Sequence, residues 1–368
     1  LQPSADRVEP PCPHAGPGRC GGCDWQHAAP AAQRVLKAAV IAEQLARLGG
    51  RDDIDVTVEE VPGGSLGWRT RVRFAVAADG TVGLHRHRSH EVEPVARCPL
   101  VTDAVDEIGV SRRRWPEAST VDVVVSSGGD RALVVTPQRD ADVSVPPLDV
   151  DDVAVLQGRP RGGAAQRVRG HRAVRETAVG RTFRAGAGGF WQVHPAGADL
   201  LAAAVLEALS PKPGESALDL YAGVGLFAGA LASALGPGGR LTLVESDGEA
   251  ARDATYNLRE EAPQVIVEAG RVERVLARLA PMRADLVVLD PPRSGAGATV
   301  VGQVAGCSPR AVAYVACDPA ALGRDVATFA QHGYRLTGLR AFDLFPMTHH
   351  VECVALFVPA PSSSPPAP

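Results

Sequence analysis

The chain has 368 residues, 45% of them hydrophobic and 22% charged, a balance typical of a globular protein with two domains or more. No apolar run is long enough to cross a membrane and no secretion leader is visible, so we expect a cytoplasmic monomer without membrane contact. The formal net charge of −4 argues against an all-basic surface, but it leaves room for a local basic groove.

Residues 1–177 are predicted to form an α+β domain. Apolar residues at helical spacing predict a helix over Ala31–Gly50, and alternating segments after it predict strands. These strands are "VTVEEV", "WRTRVRFAVA", "STVDVVVSS" and "RALVVTP". The Arg- and Gly-rich stretch 157–175 predicts a loop or an exposed pair of strands.

Residues 178–359 alternate between strand and helix, which predicts a doubly wound α/β sheet. A helix is predicted over Pro195–Leu209, and five strand–helix pairs follow it. The segments "YRLTGLRAFDLF" and "HHVECVALFVP" predict an antiparallel pair at the end of the sheet. The Pro- and Ser-rich residues 360–368 predict a disordered tail.

The turn in "LDLYAGVGLF" predicts a nucleoside-cofactor site at the end of the first strand. Gly223 and Gly225 allow the backbone to pass close to a ligand, and Glu245 at the end of the next strand can bind ribose hydroxyls. This pattern leaves both NAD and S-adenosylmethionine open. Asp290 before Pro-Pro in "LVVLDPPRSG" is typical of methyltransferases that act on nitrogen or on nucleobases. Arg293 stands where adenine N-methyltransferases have an aromatic residue, which disfavours that subclass.

Cys317 ends the fifth predicted strand, on the side of the sheet where such folds bind their ligands. A buried structural cysteine is the common alternative. A methyltransferase could use this thiol to attack carbon 6 of uracil, which makes carbon 5 nucleophilic. A base must then remove the carbon 5 proton, and Glu352 in the last strand is the candidate. A solvent-facing strand residue is an equally good reading of Glu352.

Together these motifs resemble the RNA uracil-5 (5-methyluridine) methyltransferase family. The matching segments are "FWQVHP", "DLYAGVG", "DPPR", "ACDP" and "FPMTHHVE". The resemblance implies a C-terminal Rossmann-like class I methyltransferase domain that uses S-adenosylmethionine. It also implies Cys317 as nucleophile and Glu352 as proton acceptor, with donor contacts from Gln192, Tyr221, Glu245 and Asp290.

The sequence departs from the family pattern at three positions. His194 replaces the usual Asn, Ala222 replaces a common Cys, and Asp318 replaces Asn beside the nucleophile, where an acid should disfavour the thiolate. Many members begin with a TRAM domain, a small RNA-gripping β-barrel. Only a short Pro-containing segment precedes Cys12, so we expect this sequence to lack it.

Four cysteines in the first hundred residues predict a metal centre in the N-terminal domain. Three of them form a C-x7-C-x2-C cluster and the fourth is distant: Cys12, Cys20, Cys23 and Cys98. A four-sulfur site of this kind suits both zinc and [4Fe–4S]. The resemblance favours [4Fe–4S], because a subgroup of the family carries such a cluster at these positions, and the cluster would be structural.

Alternating arginines in "WRTRVRF" predict a strand face that binds RNA. Arg69, Arg71 and Arg73 share one face and could hold phosphates, and Arg293 is a further candidate contact. A solvated strand face explains the three alternating residues equally well.

The sequence therefore predicts S-adenosylmethionine-dependent methylation of carbon 5 of a uridine in ribosomal or transfer RNA. A cytosine-5 nucleic-acid methyltransferase uses similar thiol chemistry, but it usually has Pro before the nucleophile, where this chain has Ala316. A catalytically weak, zinc- or iron–sulfur-stabilised RNA-binding protein is the alternative from another class.

Overall fold

The computed structural model describes residues 2–139, 142, 144–160, 163–261 and 264–361. Most of the predicted tail therefore lies outside the described residues. Among those that are described, no helix combines the length and apolar character that crossing a bilayer requires.

The described helices and strands follow one another along the chain. The helices are α1 (Pro30–Gly49), α2 (Asp103–Asp106), α3 (Gly197–Leu209), α4 (Leu226–Leu235), α5 (Gly248–Asn257), α6 (Val272–Leu279), α7 (Gly297–Gly306) and α8 (Pro319–Gln331). The strands of the first half are β1 (Val58–Glu59), β2 (Arg71–Val76), β3 (Val82–His85), β4 (Val92–Pro94), β5 (Ala118–Val125), β6 (Arg131–Pro137), β7 (Val153–Gln157), β8 (Gln166–Arg169), β9 (Ala173–Ala178) and β10 (Arg181–Gly186). Those of the second half are β11 (Ser216–Leu220), β12 (Arg240–Glu245), β13 (Val265–Ala269), β14 (Leu286–Leu289), β15 (Ala311–Ala316), β16 (Tyr334–Phe342) and β17 (Glu352–Pro359).

The chain divides into two compact units, each made of several segments. The first unit comprises Leu1–Arg34, Val61–Ala198 and Leu344–His349, and the second comprises Val35–Glu60, Asp199–Asp343 and His350–Pro368. The sequence-based domain boundaries after residues 177 and 359 stay predictions.

The second unit contains a mixed sheet of eight described strands, ordered β1-β16-β17-β15-β14-β11-β12-β13. Strands β11, β12, β13, β14 and β15 run parallel to one another, whereas β17 is antiparallel to both β15 and β16. Strands β14 and β15 are buried along their whole length, as expected for central strands of a parallel sheet covered on both faces. The predicted α/β fold with an antiparallel pair beside the parallel strands is confirmed, but the pair does not end the sheet, because β1 adds outside it, parallel to β16.

Two predictions for the N-terminal domain are corrected in this unit. Helix α1 forms as predicted, but from Val35 onward it belongs to the second unit, because Ile41 and Leu45 are fully buried in that unit's core. It packs closely on α8, where a Cβ added to Gly323 would lie 2.7 Å from the backbone oxygen of Gln44. The predicted strand "VTVEEV" shrinks to the two residues of β1, which pair with β16.

The first unit contains a sheet of seven described strands, ordered β4-β3-β2-β5-β6-β7-β8, together with the hairpin β9–β10. Its pairs are antiparallel except for β6 with β7. Trp68 and Trp115 are fully buried in its core. The Arg-rich stretch 157–175 contributes two strands, but they do not pair with each other: β8 adds to the edge of the sheet and β9 pairs with β10.

Candidate active site and cysteine centre

Cys317 and Glu352 come together through the register of two strands. Antiparallel pairing of β15 with β17 sets Ala316 opposite Cys353. Cys317 directly follows Ala316 and Glu352 directly precedes Cys353, so both lie at this end of the strand pair, and the charge of Glu352 acts on the Cys317 thiol. The thiol and the carboxyl therefore share one site at the carboxyl end of the parallel strands.

Burial dominates the electrostatics of this pair. It raises the pKa of Cys317 to about 11, and the nearby Glu352 and Asp290 carboxyls add to that rise. Burial and Asp290 likewise raise the pKa of Glu352 well above its ordinary value. Arg293 opposes both shifts, because its positive charge favours the thiolate and the carboxylate. The Arg293 guanidinium is exposed and lies 3.3 Å from Nε2 of His350.

Asp290 adds a third acidic group to the site. Its backbone N–H donates to the carbonyl oxygen of Leu220, which ties the end of β14 to that of β11. Burial raises the pKa of the Asp290 carboxyl to about 7. Asp290, Cys317 and Glu352 are thus three acids whose ionised forms disfavour one another, with Arg293 as the counter-charge.

The predicted donor loop follows β11 and turns sharply. Tyr221 has φ 63°, an uncommon backbone for a residue with a side chain, and Gly223 and Gly225 have φ 55° and 90°. Glu245 at the end of β12 accepts a hydrogen bond from the Gly223 N–H at 2.8 Å and from the Asp247 N–H at 2.6 Å. The structure thus brings Gly223 and Glu245 together, while their contacts with a donor stay predictions.

Gln192 lies in the first unit, together with His194. Gln192 is 8% exposed and His194 is 3% exposed. The His194 ring stacks on Trp68 with centroids 6.0 Å apart, and its Nδ1 accepts the Ala196 N–H at 3.2 Å. Burial lowers the pKa of His194 to about 4, so the ring is neutral at physiological pH. The donor contact assigned to Gln192 stays a prediction.

The four N-terminal cysteines line one cavity in the first unit, although Cys98 is distant from the others in sequence. Burial raises the pKa of Cys20, of Cys98 and of Cys23, the last to about 12, and neighbouring cysteines of the set reinforce each rise. Within the described residues, no group of three or more His, Cys, Asp or Glu side chains is arranged to hold a metal ion. The four cysteines thus line one cavity, and the metal centre expected there stays a prediction.

The arginines predicted to contact RNA have different surroundings. The Arg69 guanidinium lies 5.1 Å from the Trp68 ring centroid and also lines the cysteine cavity. Arg71 is largely buried and pairs with Glu176 at 2.7 Å. Arg73 pairs with Asp122 at 2.6 Å, yet its side chain is 72% exposed. Arg73 and Arg293 are therefore the predicted contacts with exposed guanidinium groups.

Two family models match the chain: one described as tRNA (Uracil-5-)-methyltransferase over residues 257–359, and one described as methyltransferase small domain over residues 190–305. An uncharacterized RNA methyltransferase of Streptomyces avermitilis is 52% identical over 98% of this chain and 85% of its own length. The 23S rRNA (uracil(1939)-C(5))-methyltransferase RlmD of Alkalilimnicola ehrlichii is 32% identical over 97% of this chain and 84% of its own.

The chain belongs to the RNA uracil-5-methyltransferase family. The prediction of an RNA (uracil-5-)-methyltransferase is thereby confirmed. The fold agrees: the tRNA (uracil-54, C5)-methyltransferase of Pyrococcus abyssi, solved with S-adenosyl-L-homocysteine, superposes with a TM-score of 0.73 over 97% of this chain and 87% of its own, at 23% identity.

Two of the departures from the family pattern have clear structural settings. Asp318 is the N-cap of α8, where its carboxylate accepts the Ala321 N–H at 2.7 Å. Cys317 directly precedes this N-cap residue. Ala222 is a buried residue of the donor loop.

Sequence reasoning missed two buried acids that shape this methyltransferase site. Asp219 in β11 is fully buried, accepts the Ala228 N–H at 2.8 Å, and has a pKa raised to about 8 by burial. Asp325 in α8 accepts the Tyr314 hydroxyl at 2.5 Å and the N–H groups of Ala296 and Gly297, so it holds the loop that follows Arg293. An acid inside the apolar strand "SALDLY" could have revealed Asp219, whereas nothing in the sequence marks Asp325.

Proposed function

We propose that this protein transfers a methyl group from S-adenosylmethionine to carbon 5 of a uridine in RNA through a covalent adduct with Cys317. The observation that carries the proposal is that Cys317 and Glu352 lie at the same end of the paired strands β15 and β17, close enough for the charge of Glu352 to act on the thiol. A nucleophile and a base at one end of a strand pair suit a reaction that needs both on the same pyrimidine ring.

The chemistry divides into three steps. The Cys317 thiol gives its proton to solvent, the thiolate sulfur bonds to carbon 6 of uracil, and the electrons of the carbon 5–carbon 6 double bond move to give an enolate-like carbon 5. Carbon 5 then takes the methyl group from the sulfonium of the donor, which leaves as S-adenosylhomocysteine. Glu352 finally removes the proton on carbon 5, and the carbon–sulfur bond breaks to release 5-methyluridine and the free thiolate.

The raised pKa values fit this sequence of steps. Burial keeps Cys317 mostly a thiol in the free enzyme, with a pKa of about 11, and Arg293 favours its ionised form when the uracil is in place. The high pKa of Glu352 makes its carboxylate a stronger base than an exposed glutamate. The target uridine must leave its base stack to reach the thiol.

The donor is held, in this proposal, by the loop after β11 and by the ends of β12 and β14. Gly223 and Gly225 let the backbone approach the donor, and Glu245 accepts hydrogen bonds from its ribose hydroxyls. Tyr221 and Gln192 would contact the donor, and Asp290 would lie beside the methyl group. The Pyrococcus abyssi enzyme of similar fold was solved with S-adenosyl-L-homocysteine, which supports S-adenosylmethionine as the donor.

Ribosomal RNA is the substrate that we propose. The relatives from Alkalilimnicola ehrlichii and Thiobacillus denitrificans, both 32% identical, are named as enzymes of uracil 1939 in 23S rRNA. The exposed guanidinium groups of Arg73 and Arg293 are suited to phosphate contacts. Arg69 and Arg71 would act mainly by holding the strand, because Arg69 lies over Trp68 and Arg71 is bound to Glu176.

A [4Fe–4S] cluster bound by Cys12, Cys20, Cys23 and Cys98 is the second part of the proposal. The four thiols line one cavity, and four cysteines are the usual donor set of such a cluster. Burial disfavours ionisation of these thiols, and binding of the cluster would convert them to metal-bound thiolates. The cluster would also tie the N-terminal segment to the sheet. Protein purified without oxygen should contain four irons and four sulfides per chain. Zinc in their place would contradict the cluster. Cys20→Ser removes one of the four thiols and should lower the iron content. Cys307→Ser is the matched control and should leave the iron content unchanged, since Cys307 lies outside the cavity.

Methylation of defined RNA tests the proposed reaction. We expect protein supplied with S-adenosylmethionine to form 5-methyluridine in a fragment of 23S rRNA, with tRNA as the comparison substrate. Cys317→Ala should abolish the product, whereas Cys307→Ala should retain it, because Cys307 caps the far end of α7. 5-Methylcytidine as the product, or full activity in Cys317→Ala, would contradict the proposal.

A further inference from the structure

The segment Leu344–His349, here called the base loop, precedes the strand that carries Glu352. It belongs to the first unit, and three residues after its end Glu352 opens β17. Leu344, Met347 and Thr348 are almost fully buried. Met347 has φ 68°, a left-handed backbone that a side chain disfavours and that persists only when its surroundings hold it.

The residues that follow Cys23 hold the base loop in this conformation. The backbone N–H groups of Asp24 and Trp25 both donate to the Met347 carbonyl oxygen, at 3.1 and 3.0 Å. The Asp24 carboxylate lies 2.6 Å from Nδ1 of His349 and accepts the His349 N–H at 3.4 Å. On the other side of the loop, the fully buried Gln33 accepts the Met347 N–H at 2.8 Å.

These contacts join two parts of the chain that are 325 residues apart in sequence. Asp24 is the one acidic side chain among them, and it binds both the ring and the backbone of the last residue of the base loop. Only two residues separate His349 from Glu352, so the position of the base loop limits where the Glu352 carboxyl can lie.

We propose that Asp24 is a positioning residue for proton abstraction: by holding His349, it fixes the base loop so that Glu352 meets the proton on carbon 5. The inference rests on the proposed function, since it assigns Asp24 to the last of the three steps. Asp24 directly follows Cys23, so the inference also gives the N-terminal segment that contains Cys12, Cys20 and Cys23 a role in catalysis.

The test separates proton abstraction from the earlier steps. RNA that contains 5-fluorouridine is trapped after methyl transfer, because fluorine cannot leave as a proton does, so adduct formation needs Cys317 but no base. We expect Asp24→Ala to form this adduct at a rate within about twofold of wild type. Turnover of ordinary RNA should fall roughly tenfold in kcat, with KM unchanged, since a catalytic group displaced by about 1 Å can cost up to 10²-fold. Covalent protein–RNA complex should then accumulate on ordinary RNA.

Two further variants make the result specific. Asp24→Asn should recover part of kcat, because its amide oxygen can still accept from His349. Asp103→Ala is the matched control: it removes an exposed carboxylate of the same unit, paired with Arg97 at 2.9 Å, and should leave both rates unchanged.

Three outcomes would overturn the inference. Unchanged turnover in Asp24→Ala would show that the contact has no catalytic role. An equal loss of adduct formation and turnover would show a general structural role. Failure of wild-type protein to form any adduct would contradict the proposed function itself, and this inference with it.

Discussion

Breaking the buried ion pair between Lys37 and Asp343 should destabilise the second unit strongly. The Lys37 side chain is 0% exposed and the Asp343 side chain 4%, with 2.5 Å between Nζ and Oδ1. Lys37→Met leaves the Asp343 carboxylate buried without its cation, a change that costs about 3–5 kcal/mol. Replacing both residues, as in Lys37→Met with Asp343→Leu, removes both buried charges and should restore most of the lost free energy of unfolding.

The two units can be followed separately in a urea titration. The four tryptophans, Trp25, Trp68, Trp115 and Trp191, all lie in the first unit, so their fluorescence reports on that unit. Far-ultraviolet circular dichroism follows the helices, most of which lie in the second unit.

The control is Glu43→Gln, which breaks an exposed pair with Arg47 on the same helix and should cost below about 1 kcal/mol. A loss in Lys37→Met no larger than that of the control would refute the reasoning. So would a double variant that is as unstable as the single one.

Three further predictions concern the active site. Glu352→Gln should slow turnover about 10²- to 10⁴-fold while a covalent complex with ordinary RNA accumulates on denaturing gels; no such complex would argue against its role as base. Asp325→Ala leaves two backbone N–H groups and the Tyr314 hydroxyl without their acceptor, and should lower the free energy of unfolding by about 3 kcal/mol in the same titration, against about 1 kcal/mol for Tyr314→Phe. Arg293→Gln should raise the pKa of both Cys317 and Glu352, because it removes the positive charge that favours their ionised forms. Since both groups act in their ionised forms, the rise of kcat/KM with pH should move to higher pH. Arg293→Lys should largely restore the wild-type pH profile, and a shift of the Arg293→Gln profile to lower pH would contradict the reasoning.

The strand–helix alternation of the second half was sufficient to predict its sheet and the strand ends that carry the candidate site. Cys317 and Glu352 were singled out by the chemistry and by the family resemblance; the sequence predicted the pairing of β16 with β17 but not that of β15 with β17, which brings the two residues to one end of the sheet. The periodicity of α1 predicted a helix correctly, but it could not tell which core its apolar face would enter.

The parts that escaped prediction depend on contacts between distant residues. Arg71 alternates with Arg73 and looks equally exposed in the sequence, yet its partner Glu176 lies 105 residues away and buries it. Asp24 and Asp325 resemble ordinary polar residues of a loop and a helix, and only the fold places them against the segments that they hold. Single-sequence patterns report local periodicity and carry no information on such pairings.

Trapping with 5-fluorouridine RNA tests the central claim most directly. Wild-type protein, S-adenosylmethionine and a 23S rRNA fragment containing 5-fluorouridine should give a stable protein–RNA adduct, and peptide mapping should place the bond on Cys317. Cys317→Ala should give no adduct, and Cys307→Ala should give as much as wild type. An adduct that persists in Cys317→Ala, or that maps to another cysteine, would contradict the assignment of Cys317 as the nucleophile.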